Sequence, residues 1–234
     1  MTQAPMIGMI VPPAADTVPP EGPAMYPDLR FAARGLGLEA LTPEGYDSVI
    51  GRIGSLAADL AAAGADVVAV MGTSLTFYRG RAFNEALTRD VAVACGRPVV
   101  TMSTGIVEAI AATGARRIAL ATAYGETVNA RLSAFLAEHG VETVALAALG
   151  IEDVRKVFDV THDDLLALGR RAVAEAAAAG ARPDALFISC GGLRTLPVCA
   201  ELQAELGLPV VSSATAGVDA AVRRLPQAAL PAGT

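Results

Sequence analysis

The chain has 234 residues, of which 53% are hydrophobic and 18% charged, enough apolar mass for one large α/β domain or two small lobes, so a disordered or fibrous protein is excluded. Its net charge of −6, with no block of Lys or Arg, removes the electrostatic basis for nucleic-acid binding or for docking on an anionic membrane, and leaves a small molecule or a protein as the expected partner. Asp59 and Asp66 interrupt the most apolar stretch and no basic region precedes the short apolar run at the start, so neither a membrane span nor a leader is expected, and a cytoplasmic location is the expectation.

In chain order, short β-type runs alternate with Ala- and Leu-rich helical stretches, the pattern of a parallel sheet covered on both faces. The runs Ile7 to Val11, Val67 to Met71, Val99 to Met102, Ile118 to Ala121, Ala185 to Ser189 and Val210 to Ser212 predict strands. Helices are predicted around Tyr46 to Ala63, Phe83 to Ala94, Gly105 to Thr113, Thr127 to His139, Asp163 to Ala179, Leu196 to Leu206 and Gly217 to Arg224. Gly64, Gly96, Gly114, Gly140, Gly180 and Gly207 stand where left-handed helix stops are expected.

The six strands form two sets of three. Ile118 follows Ile7 by 111 residues, Asp184 follows Asp66 by 118, and Gly207-Leu208-Pro209-Val210-Val211 follows Gly96-Arg97-Pro98-Val99-Val100 by 111. Near-constant spacing of this kind argues for a duplicated βα unit and therefore for two similar α/β lobes related by a pseudo-two-fold axis. Residues 1–114 are the expected first lobe and 115–214 the second, with 215–234 a C-terminal helix and tail packing back on the first. Open α/β sheets bind ligands beyond the carboxyl ends of their strands, so the two lobes direct those ends into a shared cleft.

The strand ends define the candidate site: Pro12-Pro13, Gly72-Thr73-Ser74 and Ser103-Thr104, then Thr122-Ala123-Tyr124, Cys190-Gly191-Gly192 and Ser213. Nearly all are small or hydroxylated, which lets backbone N–H groups approach an anion. Ala65 to Ser74 and Pro183 to Gly192 align without a gap, and this alignment sets Cys190 against Gly72. One thiol stands where symmetry allows two. A single acid delivers a proton to one face of a substrate only. The Gly pair after Cys190 places N–H groups beside the sulfur, in a setting that tunes thiol acidity.

Other residues read as structural. Cys95 ends a helix and Cys199 lies inside one; with Cys190 and Cys199 nine apart, neither a disulfide framework nor a zinc site is suggested. His139 and His162 are helix-end residues, and Asp66 and Asp184 are turn residues before their strands. No Ser-His-Asp arrangement can be assembled, because no His stands at a strand end. Gly35-Leu36-Gly37-Leu38-Glu39-Ala40 imitates a dinucleotide fingerprint, but no β-type run is evident before it, and no nucleotide cofactor is expected.

The segments Ile7 to Ala14, Met71 to Gly80, Ala119 to Tyr124 and Ser189 to Leu193, with Leu36-Gly37-Leu38 and Thr42 to Asp47, resemble the arylmalonate decarboxylase family of the aspartate/glutamate racemase superfamily. The resemblance covers nearly the whole chain. Racemases and maleate cis-trans isomerases of the superfamily carry a cysteine at both pseudo-symmetric positions, whereas the Gly-Thr-Ser form at Gly72 is that of the decarboxylases. What the resemblance implies is decarboxylation of a disubstituted (aryl)malonate to an optically active monocarboxylic acid without cofactor or metal. Cys190 is then the general acid. Thr73, Ser74, Tyr124 and the N–H groups of Cys190 and Gly191 hold the retained carboxylate, and Pro12, Leu38, Leu41, Val154 and Val157 form the apolar pocket of the departing one. Two alternatives stay open: a racemase or isomerase using another second base, and a carboxylate-binding protein without catalysis. The oligomeric state is left open, a monomer being compatible with the composition.

Overall fold

Two parallel four-stranded sheets flanked by helices frame the computed structural model, which describes residues 4–226. The first contains β1 (Met6–Val11), β2 (Arg30–Gly35), β3 (Val67–Val70) and β4 (Val99–Thr101), in the order β2-β1-β3-β4. The second contains β5 (Arg117–Thr122), β6 (Glu142–Ala148), β7 (Ala185–Ser189) and β8 (Val210–Ser212), in the matching order β6-β5-β7-β8. The helices are α1 (Glu21–Met25), α2 (Pro43–Val49), α3 (Ile53–Ala62), α4 (Thr73–Phe77), α5 (Arg81–Cys95), α6 (Met102–Thr113), α7 (Glu126–Glu138), α8 (His162–Ala178), α9 (Leu196–Leu206) and α10 (Ser213–Val222).

All six expected strands are present within a residue or so of their expected bounds, because they are the inner and axis-side strands. Every residue of β1, β3, β4 and β7 is buried, and such strands read as unbroken apolar runs. Each set nevertheless has four members rather than three. The two additional strands, β2 and β6, are the outer edges; they are mostly half-buried and rich in Ala, with Arg30, Arg34 and Glu142 among their residues. An edge strand has one paired neighbour and one wet side, so its apolar signal is diluted.

The expected single helix from Tyr46 to Ala63 is divided into α2 and α3 by a tight 3₁₀ turn at Ile50–Arg52. The helices following β4 and β8 begin three to four residues earlier than expected, at Met102 and Ser213, because Thr101 and Ser212 cap them by accepting from the N–H groups of Thr104 and Thr215. The six helix-stop glycines all have φ between +64° and +95°, a region in which a side chain is strained.

Asp66 and Asp184 do more than turn the chain. The Asp66 carboxylate accepts the Met6 N–H at 2.8 Å, and that of Asp184 accepts the N–H groups of Arg116 and Arg117 at 2.9 and 2.8 Å. Each acid thereby ties the start of its own strand to that of the neighbouring β1 or β5. Around the pseudo-two-fold axis α6 and α10 pack against each other. On the opposite side, Leu41 N–H donates to the Glu152 carbonyl at 2.7 Å and Val154 N–H to the Glu39 carbonyl at 3.1 Å, a short ladder from lobe to lobe.

Gly35 explains the fingerprint-like segment. Contrary to the expectation that no β-run precedes it, β2 ends at Gly35; what fails to follow is a helix, since Ala40 bridges to Asp153 and α2 opens only at Pro43. A Cβ at Gly35 would lie 2.3 Å from the Ala14 carbonyl oxygen, so this glycine admits the crossing chain rather than a phosphate.

Candidate active site

The carboxyl ends of both sheets open on one cavity of about 340 Å³ between the lobes, within the usual range for small-molecule sites. Its lining includes Pro12, Leu38, Leu41, Thr73, Ser74, Tyr124, Val154, Val157, Cys190 and Gly191, so the structure brings together all ten residues singled out from the sequence. Pro13, Gly72 and Gly192 join them. The other strand-end candidates, Ser103, Thr104, Thr122, Ala123 and Ser213, do not reach the cavity.

Ser103 and Ser213 act behind the wall instead. Ser103 Oγ donates to the Thr73 carbonyl at 3.1 Å, and Ser213 Oγ accepts the Cys190 N–H at 3.2 Å, each helix of the α6–α10 pair steadying the loop beside it. The second bond corrects one expectation: the Cys190 N–H is occupied by Ser213 and does not point at a ligand.

Thr73 and Ser74 open α4, whose N-cap is Gly72, and neither side chain caps it. Both are buried. Thr73 Oγ1 donates only to the Met102 thioether sulfur, at 2.7 Å, and a thioether is a weak acceptor that a carboxylate would readily replace. The N–H groups of the first turn of α4 have no partner within the helix. Tyr124 stands beside them, 1% exposed, its ring edge-on to Phe77 with centroids 6.0 Å apart. Its hydroxyl finds no partner of normal geometry although Thr73, Ser189 and Cys190 lie beside it, and burial pushes its pKa well above the ordinary phenol value. The site therefore carries a neutral donor without an assigned acceptor.

Cys190 has φ of +143°, and it is the one non-glycine residue among those described with a positive φ. Such backbone costs about 1–3 kcal/mol and persists where the surroundings enforce it, most often at functional sites. Burial pushes the thiol pKa above its ordinary value, against the opposing pull of the Gly192 N–H, the Tyr124 hydroxyl and the Leu193 N–H. The thiol is accordingly held in its protonated form. A Cβ at Gly191 would lie 2.8 Å from both Sδ and Cε of Met102, so a side chain there would push the end of Met102 aside.

The apolar side comes from both lobes. Leu38 and Leu41 follow β2, Val154 and Val157 belong to a 3₁₀ segment (Val154–Asp159), and the ladder from Glu39 and Leu41 to Glu152 and Val154 holds the two groups together. The sequence reasoning missed a third wall, formed by residues 15 and 17–21 together with Phe158 and Arg194. Asp16 fixes this loop by accepting the Gly35 N–H at 2.8 Å. Its only sequence signal was the Pro-rich stretch Val18-Pro19-Pro20, which marks a loop but not its destination.

An open-mouthed cavity between two α/β lobes, with a donor wall, an apolar wall and one buried thiol, is the site of an enzyme able to hold a small carboxylate and deliver a proton from one side. The sequence profile of the arylmalonate decarboxylase family matches residues 7–234, and the chain belongs to that family. It is 50% identical over 219 residues to the arylmalonate decarboxylase of Bordetella bronchiseptica, covering 94% of this chain and 90% of that protein. A maleate isomerase of Nocardia farcinica is 27% identical over 230 residues, covering 94% and 89%. Among solved structures, a liganded arylmalonate decarboxylase carrying a Gly-to-Cys and a Cys-to-Ser substitution superposes with a TM-score of 0.92 at 48% identity, covering 96% of this chain and 94% of that one.

Proposed function

We propose that the protein is a carboxy-lyase that decarboxylates a disubstituted (aryl)malonate and protonates the resulting enediolate from Cys190, giving an optically active monocarboxylic acid. The observation that carries this reading is the unequal pair at the pseudo-symmetric strand ends, a protonated Cys190 on one and Gly72 on the other. With no second thiol, no base stands ready to abstract a proton. A carbanion must arise by breaking another bond, and loss of carbon dioxide does so without a base.

The retained carboxylate lies against the hydroxyls of Thr73, Ser74 and Tyr124 and the Gly191 N–H. As the C–C bond breaks, its electron pair delocalises into this carboxylate, and each well-aimed donor to the growing negative charge supplies about 3 kcal/mol. The departing carboxylate occupies the wall of Pro12, Leu38, Leu41, Val154 and Val157. Neutral carbon dioxide is at home there and the anion is not. The planar enediolate then takes the Cys190 proton from one face, and the thiolate is reprotonated by solvent before the next turnover.

A lobe boundary at 114/115 is supported by the placement of β1–β4 before it and β5–β8 after it, whereas the second, at 214/215, falls inside α10, which already begins at Ser213. A cytoplasmic location is supported by three free cysteines, the pattern of a reducing compartment; no helix among the described residues is long and apolar enough to cross a membrane. The test is incubation of the purified protein with phenylmalonate while carbon dioxide and product handedness are followed, before and after dialysis against chelator. Gas release with one enantiomer in excess and no chelator effect is expected. Racemisation or isomerisation of a monocarboxylate without gas release would instead mark a second base.

A further inference from the structure

The cavity has more wall than the decarboxylation needs. The donor side takes one carboxylate and the apolar cluster the other, which leaves the substituent on the malonate carbon to the third wall of loop 15–21, Phe158 and Arg194. That wall is apolar through Val18, Pro19 and Phe158, the last 47% exposed at the rim, and so suits an aromatic ring. Two ionisable groups break its apolar character, Glu21 and Arg194.

Arg194 is exposed, and among the described residues its guanidinium has neither a hydrogen-bond nor an ion-pair partner. Glu21 is only 5% exposed and makes no contact pair with it. Burial pushes the Glu21 carboxyl upward, toward its neutral acid, with its own N–H and the Arg194 charge partly opposing. A planar fork of donors at the mouth of an apolar cavity, not neutralised by contact, matches the geometry of an incoming carboxylate.

We propose that Arg194 is a specificity-determining residue that selects malonates whose aryl substituent ends in an anionic group, the ring lying against Phe158 and the terminal carboxylate on the guanidinium. This rests on the decarboxylase reading above. The substrate class is therefore the tricarboxylate carboxyaryl malonates rather than plain arylmalonates.

The experiment compares kcat/KM for 4-carboxyphenylmalonate with that for phenylmalonate in the wild-type enzyme, Arg194→Leu and Arg194→Lys. Because the guanidinium is partly solvated, the ratio is expected to fall roughly three- to tenfold in Arg194→Leu, with part of it regained in Arg194→Lys. A ratio that is the same in wild type and Arg194→Leu overturns the proposal, whatever happens to the two rates separately. If no malonate releases carbon dioxide, the decarboxylase reading fails on its own. The ratio of the two Kd values from calorimetry, in wild type and Arg194→Leu, then decides the Arg194 assignment by the same criterion.

Discussion

Tyr124→Phe separates the catalytic from the structural worth of one oxygen atom, because the two are expected to have opposite signs. The substitution keeps the buried ring and its edge-on contact with Phe77 and removes only a hydroxyl that lacks a partner of normal geometry. A buried polar group left unpaired costs about 1–3 kcal/mol, so the variant should be as stable as the wild type or more so. For a chain of this size each kcal/mol corresponds to roughly 2–4 °C, and Tm should hold or rise by a few degrees. In the transition state the same hydroxyl faces the enediolate oxygen, where one donor is worth about 3 kcal/mol. Turnover should therefore fall roughly a hundredfold. Thermal melting and initial rates on phenylmalonate measure both effects. A variant that turns over at the wild-type rate would show that Tyr124 is a wall residue and that the retained carboxylate lies elsewhere, and one that loses stability would show that the hydroxyl is paired in the free enzyme.

The burial that raises the Cys190 thiol favours its neutral, proton-bearing form, so activity should persist through neutral pH and fall only as pH rises through the folded pKa, above the ordinary value of 9.0; a pH–rate profile with an alkaline limb centred below 9.0 would contradict this. Gly35→Ala places a methyl 2.3 Å from the Ala14 carbonyl oxygen and 2.6 Å from that of Pro13, so it should destabilise by about 1–3 kcal/mol and raise KM by displacing the loop that walls the cavity. Unchanged melting and KM would mean that the loop does not depend on this crossing. Cys190→Ser should nearly abolish turnover, and adding Gly72→Cys should restore part of it with the opposite product handedness; chiral chromatography reads the result, and unchanged handedness would show that the two positions do not face each other across the substrate. The added thiol fits because Gly72 has an extended φ of −113°, and its Cβ would meet Leu75 side-chain carbons at 3.1 Å, a contact relieved by a few tenths of an ångström.

What was legible in the sequence follows from how locally each feature is encoded. The inner strands were readable because both faces of a parallel sheet are covered, and Val67–Val70 or Ala185–Ser189 need no partner to announce burial. β2 and β6 were not, since Arg30, Arg34 and Glu142 make sense only once the strand is known to lie at an edge. The donor wall was readable as small and hydroxylated residues at strand ends, and the duplicated pattern exposed Cys190 against Gly72. The apolar wall was not readable from pattern at all. Leu38, Leu41, Val154 and Val157 entered through resemblance, and their meeting depends on a ladder between segments more than a hundred residues apart, Leu41 to Glu152 and Val154 to Glu39. The loop at 15–21 depends likewise on the Asp16 contact with Gly35, and Arg194 reads in the sequence as an ordinary surface cation. The division is physical. Duplication supplies two copies of the strand ends and hence the acid and the donors, whereas the walls that choose a substrate come from loops whose positions are set by long-range contacts between and within the lobes.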